Sequence, residues 1–145
     1  MISCHNVAEY LLSLSEPESG DIISHLKLQK LVYYAQGFHL AMFDKPLFDE
    51  RVEAWTHGPV VPALYHTYKQ YESGCIPPPD GVDTSDFSKQ QLELLREVYE
   101  VYGQFSAWKL RNMTHEEAPW IEASETQGEI SRESMRDYFK TQLVE

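Results

Sequence analysis

Basic residues are scarce in this chain: 12 Lys and Arg stand against 23 Asp and Glu among 145 residues, a formal charge of −11 with histidines neutral. Affinity for nucleic acid comes largely from Lys and Arg neutralising phosphates, so this balance argues against direct nucleic-acid binding and favours a basic protein partner. Cysteine is scarcer still. Cys4 and Cys75 share no C-x-x-C spacing, which leaves no disulfide framework and no zinc knuckle and suits a reducing compartment. No stretch approaches the ~18 apolar residues that span a bilayer, and Ile2-Ser3-Cys4-His5-Asn6 is not a basic start followed by an apolar run, so no membrane association and a cytoplasmic location are expected. The seven glycines never assemble into G-x-G-x-x-G or a G-x-x-x-x-G-K-[ST] phosphate loop, so nucleotide binding has no support.

What is present is enough apolar side chain for a core, 42% hydrophobic and 12% aromatic. At this length a chain buries roughly 68–70% of its unfolded surface in one domain. The expectation is a single domain over 1–145, mainly α, a compact bundle of about six to seven helices. Periodic apolar residues place helices from about Asn6 to Leu14, Ser24 to Met42, Pro62 to Glu72, after Ser85-Asp86 to Tyr102, Ser106 to Asn112, Ala118 to Glu125, and after Ser131. The second of these carries Tyr33, Tyr34, Phe38 and Leu40 beside its main stripe, which predicts a central helix with neighbours on several sides. A short β hairpin or extended segment is expected around 46–56, and three consecutive prolines at Pro77, Pro78 and Pro79 make 74–85 a surface loop.

Catalytic and metal chemistry find little in the spacing. His115-Glu116-Glu117 begins like a zinc-binding H-E-x-x-H helix, but position 119 is Pro, which leaves His115 a helix-terminal or hydrogen-bonding role. Cys4 next to His5 suggests a nucleophile and base, but neighbours on a helix point about 100° apart, no third group is identifiable, and a free thiol is the better reading. Neither cofactor nor metal is expected, and no enzyme. Trp55-Thr56-His57-Gly58-Pro59 reads as a corner in which Gly58 permits a strained turn, Pro59 fixes the next φ and Trp55 packs beneath. The tyrosines are core or a recognition surface, since phenols bury area yet keep a polar tip.

Three ordered blocks carry a family resemblance: Leu26-Lys27-Leu28-Gln29-Lys30-Leu31-Val32-Tyr33-Tyr34-Ala35-Gln36-Gly37, then Glu53-Ala54-Trp55-Thr56-His57-Gly58-Pro59-Val60-Val61-Pro62-Ala63-Leu64-Tyr65, then Thr114-His115 with Ala118-Pro119-Trp120. The chain resembles the Panacea domain family of SocA-like antitoxins and phage-associated, prophage-borne GepA-type proteins. That resemblance implies the antitoxin of a two-gene toxin–antitoxin module, binding and blocking a protein toxin encoded by a neighbouring gene. One branch of the family acts instead as an adaptor that delivers its toxin to a protease, and a small metal-dependent hydrolase is the remaining alternative. Of the motif residues, Leu28, Gln29, Lys30, Tyr33, Gln36, Gly37, Gly58 and Val60 are expected mainly to build the fold. The expected partner-binding residues are Trp55, His57, Pro59, Tyr65, His66 and Tyr68.

Overall fold

The computed structural model describes residues 2–71, 74–126 and 128–143. Seven α-helices and three short strands follow in the order α1 (Cys4–Ser13), α2 (His25–Phe43), β1 (Val52–Trp55), β2 (Gly58–Val60), α3 (Pro62–Tyr68), α4 (Lys89–Tyr102), α5 (Ala107–Thr114), α6 (Ala118–Ser124), β3 (Glu129–Ile130) and α7 (Arg132–Lys140). The protein is thus mainly α. Five helices start on a serine whose side chain accepts a backbone N–H of the first turn: Ser3, Ser24, Ser88, Ser106 and Ser131. Asn6, expected as the first cap, instead sits one turn in, where its side chain returns a hydrogen bond to the Ser3 backbone. α3 opens on Pro62, where a missing N–H costs nothing. It ends at Tyr68 in a 3₁₀ turn over Lys69–Tyr71, and Glu72, its expected limit, lies outside the described residues.

α2 is the central helix. Leu28, Leu31, Val32, Tyr33, Tyr34 and Ala35 are fully buried, because α1, α3, α4, α5 and α7 all pack against it. α7 makes the most extensive contact with α2, and Gly37 gives it room: a Cβ there would lie 2.3 Å from the Phe139 ring, inside any tolerable contact. Phe139 fills the space with its ring edge-on to Tyr33 and Tyr34, at centroid distances of 5.5 and 5.8 Å. On another side Tyr102 of α4 lies parallel to Tyr34 at 3.9 Å.

The sheet is antiparallel with strand order β2-β1-β3, Ala54 opposite Pro59 and Val52 opposite Ile130. Only the last part of the segment expected to be extended is strand; residues 48–51 form the approach to it. Gly58–Val60, expected as an extended turn, is the second strand of the hairpin. Residues 74–88 contain no regular element, as the prolines predicted, yet the loop is pinned: the Ile76 N–H donates to Ile23 O at 2.9 Å, and Ile76 and Phe87 are buried.

The Gly37 contact gives a direct test. Gly37→Ala forces Phe139 aside and is expected to destabilise the fold by about 1–3 kcal/mol, the usual cost of overpacking, as read from urea unfolding. Combined with Phe139→Leu, the loss should be clearly less than the sum of the single losses; strict additivity would show that the two residues do not meet.

Candidate binding groove

The first turns of α2 carry polar side chains into the interior, and these hold the Trp55–Pro59 corner. Gln29 Oε1 accepts the Val61 N–H at 2.8 Å, while its amide nitrogen donates to Val61 O at 3.3 Å and lies 3.0 Å from His25 Nε2. Burial, and then the neighbouring Lys30, push the His25 pKa down to about 4, so its ring is neutral and Nε2 accepts. Lys30 is wholly buried and donates to Pro59 O at 3.2 Å. Burial, followed by the charge of Arg111, lowers its pKa to about 7. Gly58 turns directly over this lysine with φ +112°, and a Cβ there would stand 2.6 Å from Lys30 Cε and 2.9 Å from Thr114 Oγ1. Both its conformation and its closeness to Lys30 therefore demand glycine.

Above this support lies an open groove of about 740 Å³ with largely apolar walls, lined by Ser24, His25, Leu26 and Gln29 from the start of α2, by Trp55, Thr56, His57 and Val60 from the corner, and by Tyr65 and Ala107. The Trp55 ring tilts against Tyr65 at 5.0 Å, and its Nε1 donates to Glu53 Oε1 at 2.9 Å, which holds the Glu53 carboxyl below its usual pKa. From beneath, Trp120 Nε1 donates to Trp55 O at 2.9 Å, and His115 stacks on Trp120 at 3.9 Å while bonding the Thr56 backbone. His115 is thereby a structural partner of the corner.

Of the residues expected at a partner surface, Trp55, His57 and Tyr65 meet in the groove. His66 is exposed beside it, edge-on to Tyr65 at 5.9 Å. Tyr68 is half-buried between His25 and Tyr71, with centroid distances of 6.3 Å to each. Pro59 is different: it is buried and its carbonyl is taken by Lys30, so it shapes the corner from within. Leu28, Gln29, Lys30, Tyr33, Gln36 and Val60, expected mainly to build the fold, are all buried, and Gly37 and Gly58 occupy close contacts; Gln29 and Val60 also reach the groove wall.

One buried group escaped the sequence reading. Glu117, the residue before α6, is 7% exposed and accepts hydrogen bonds from Tyr33 at 3.1 Å and Tyr34 at 2.7 Å. Desolvation outweighs those bonds and raises its pKa to about 7. Nothing in Thr114-His115-Glu116-Glu117 distinguishes it from Glu116; only the two phenols, more than eighty residues away in the chain, do so.

The fold and groove define a mainly α protein whose central helix props an aromatic corner through buried polar side chains. The chain belongs to the antitoxin SocA-like, Panacea domain family, whose model matches residues 28–121, covering every element from α2 into α6. It is also similar to antitoxin SocA of Caulobacter vibrioides (strain NA1000 / CB15N), with 46% identity over 58 residues, 39% of this chain. The match spans 31% of that relative's length. No solved structure matches the chain.

Glu117 sets a pH dependence whose sign is fixed. Its folded pKa of about 7 lies above the ordinary 4.5, so the folded chain keeps a proton that the unfolded chain has released, and the stability from this group falls as pH rises through that window. Glu117→Gln removes the titration. The unfolding free energy of the variant relative to the parent should rise by about 3 kcal/mol between pH 4.5 and pH 8, measured by urea titration at both. A difference independent of pH contradicts the assignment.

Proposed function

We propose that this protein neutralises a basic protein toxin encoded by a neighbouring gene, by binding it in the cytoplasm through the groove between the Trp55–Pro59 corner and α3. The toxin's functional surface is occluded and no bond is made or broken. The observation that carries this reading is the pairing of the aromatic groove with the rigid support under it. Trp55 and Tyr65 present ring surface to solvent while Gln29, Lys30 and Trp120 hold the backbone that bears them. Aromatic anchors fixed before association lose little entropy on binding, which is what makes them dominate protein interfaces. Family membership supports the antitoxin role, and the formal charge of −11 favours fast encounter with a basic partner and opposes contact with DNA.

The test is co-expression of the adjacent open reading frame with this chain, parent or variant. The neighbour alone should arrest growth, the parent should relieve arrest and co-purify with it, and Tyr65→Ala and His57→Ala, both at exposed positions, should fold normally while binding at least ten times more weakly, about 1.4 kcal/mol or more. Tyr68→Ala tests the outer edge in the same way. Trp55→Ala is a poorer probe because it also removes packing beneath the corner. Groove variants that bind and rescue as well as the parent would contradict the assignment of this surface.

A further inference from the structure

Away from the groove, where α1 meets the chain entering β1, three metal-binding side chains converge. Cys4 Sγ, a His5 ring nitrogen and a Glu50 carboxylate oxygen all lie within 4.8 Å of one another. Cys4 is fully buried, whereas His5 and Glu50 are half-buried, and Glu50 also lines an open depression of about 480 Å³ with Ile2, Ser3 and Asp49. We propose that Cys4, His5 and Glu50 form a binding site for a zinc-like divalent transition-metal ion, with a water from that depression as the fourth ligand.

The geometry of the first pair fits such an ion. A tetrahedral zinc, with bonds of about 2.3 Å to sulfur and about 2.1 Å to nitrogen, holds those two atoms about 3.6 Å apart. Cys4 Sγ and His5 Nδ1 are separated by 3.7 Å. His5 Nε2 lies 3.0 Å from Thr67 Oγ1, so the tautomer a metal requires, with the proton on Nε2 and the lone pair of Nδ1 on the sulfur side, has an acceptor for its N–H in place. A histidine ligand is usually oriented through its other nitrogen in this way. Glu50 is steered too, because its Oε1 accepts the Cys4 N–H at 3.1 Å. No Lys or Arg among the described residues forms an ion pair with Glu50. A sulfur, an imidazole nitrogen and a carboxylate are a donor set suited to zinc and unsuited to magnesium or calcium, which take oxygen ligands. On binding, the Cys4 S–H bond breaks, its electron pair becomes the sulfur–metal bond and the proton leaves to solvent, so uptake weakens as pH falls.

The full chain is titrated with ZnCl₂ by calorimetry and with Co²⁺ by absorption, with circular dichroism to verify that each variant is folded. One equivalent of Zn²⁺ should bind, and Co²⁺ should give a thiolate-to-metal band in the near ultraviolet that Cys4→Ser abolishes and Cys75→Ser leaves intact. His5→Ala and Glu50→Gln should each weaken Zn²⁺ binding at least tenfold, and Thr67→Val, which only orients His5, about tenfold. Because these three positions are half-buried or exposed, they keep the test valid should Cys4→Ser fail to fold. Absence of the thiolate band, or Zn²⁺ affinity unchanged in His5→Ala and Glu50→Gln, would overturn the site.

Discussion

A carboxamide paired with backbone inside the core is the interaction on which the other parts of this structure depend. Gln29 takes both the N–H and the C=O of Val61, and one heptad further along α2 Gln36 takes the Leu47 N–H at 2.7 Å and the Phe48 carbonyl at 2.9 Å. The two chain segments they satisfy have no complete partner strand, and buried backbone groups without partners are costly. Each glutamine therefore stands in for a missing strand: one docks the entry to α3, the other the approach to β1. Lys30, between them, adds Pro59. The groove is in this sense a projection of α2, and side chains buried beneath it fix its shape.

The buried ionisable groups are resolved by neutralisation more than by pairing. His25 and Lys30 are pushed towards their uncharged forms and Glu117 towards its protonated one, each chiefly by burial. The ion pairs among the described residues instead lie at the surface, as in Arg132 with Asp49 and Lys140 with Asp44, where they contribute little. Polar residues thus specify the interior through directional hydrogen bonds, while the net negative charge is left on the outside, where it acts on partners.

The helices were legible because they are short-range objects: serine caps and apolar periodicity are written within a single turn or two. The breadth of the α2 apolar surface also announced its central place. What could not be read were contacts whose reason lies far along the chain. Gly37 is required by Phe139, Gly58 by Lys30 as well as by its own φ, and Glu117 becomes special through Tyr33 and Tyr34. β3, two residues long, exists only because β1 offers an edge. Of the groove's lining, Trp55, His57 and Tyr65 were expected together from the aromatic corner and the helix after it, whereas His25 and Gln29 looked like helix interior. The Cys4 and His5 pair looked unproductive from helix geometry alone, since Glu50, the third group, arrives from a loop forty-five residues later.

The measurement that bears most directly on the role of the α2-supported groove is hydrogen–deuterium exchange of this protein alone and in complex with the product of the adjacent gene. Protection on binding should concentrate in residues 55–68, with the already protected interior of α2 unchanged. Protection confined to the 74–88 loop or the outer face of α7, with 55–68 exchanging as in the free protein, would contradict that role.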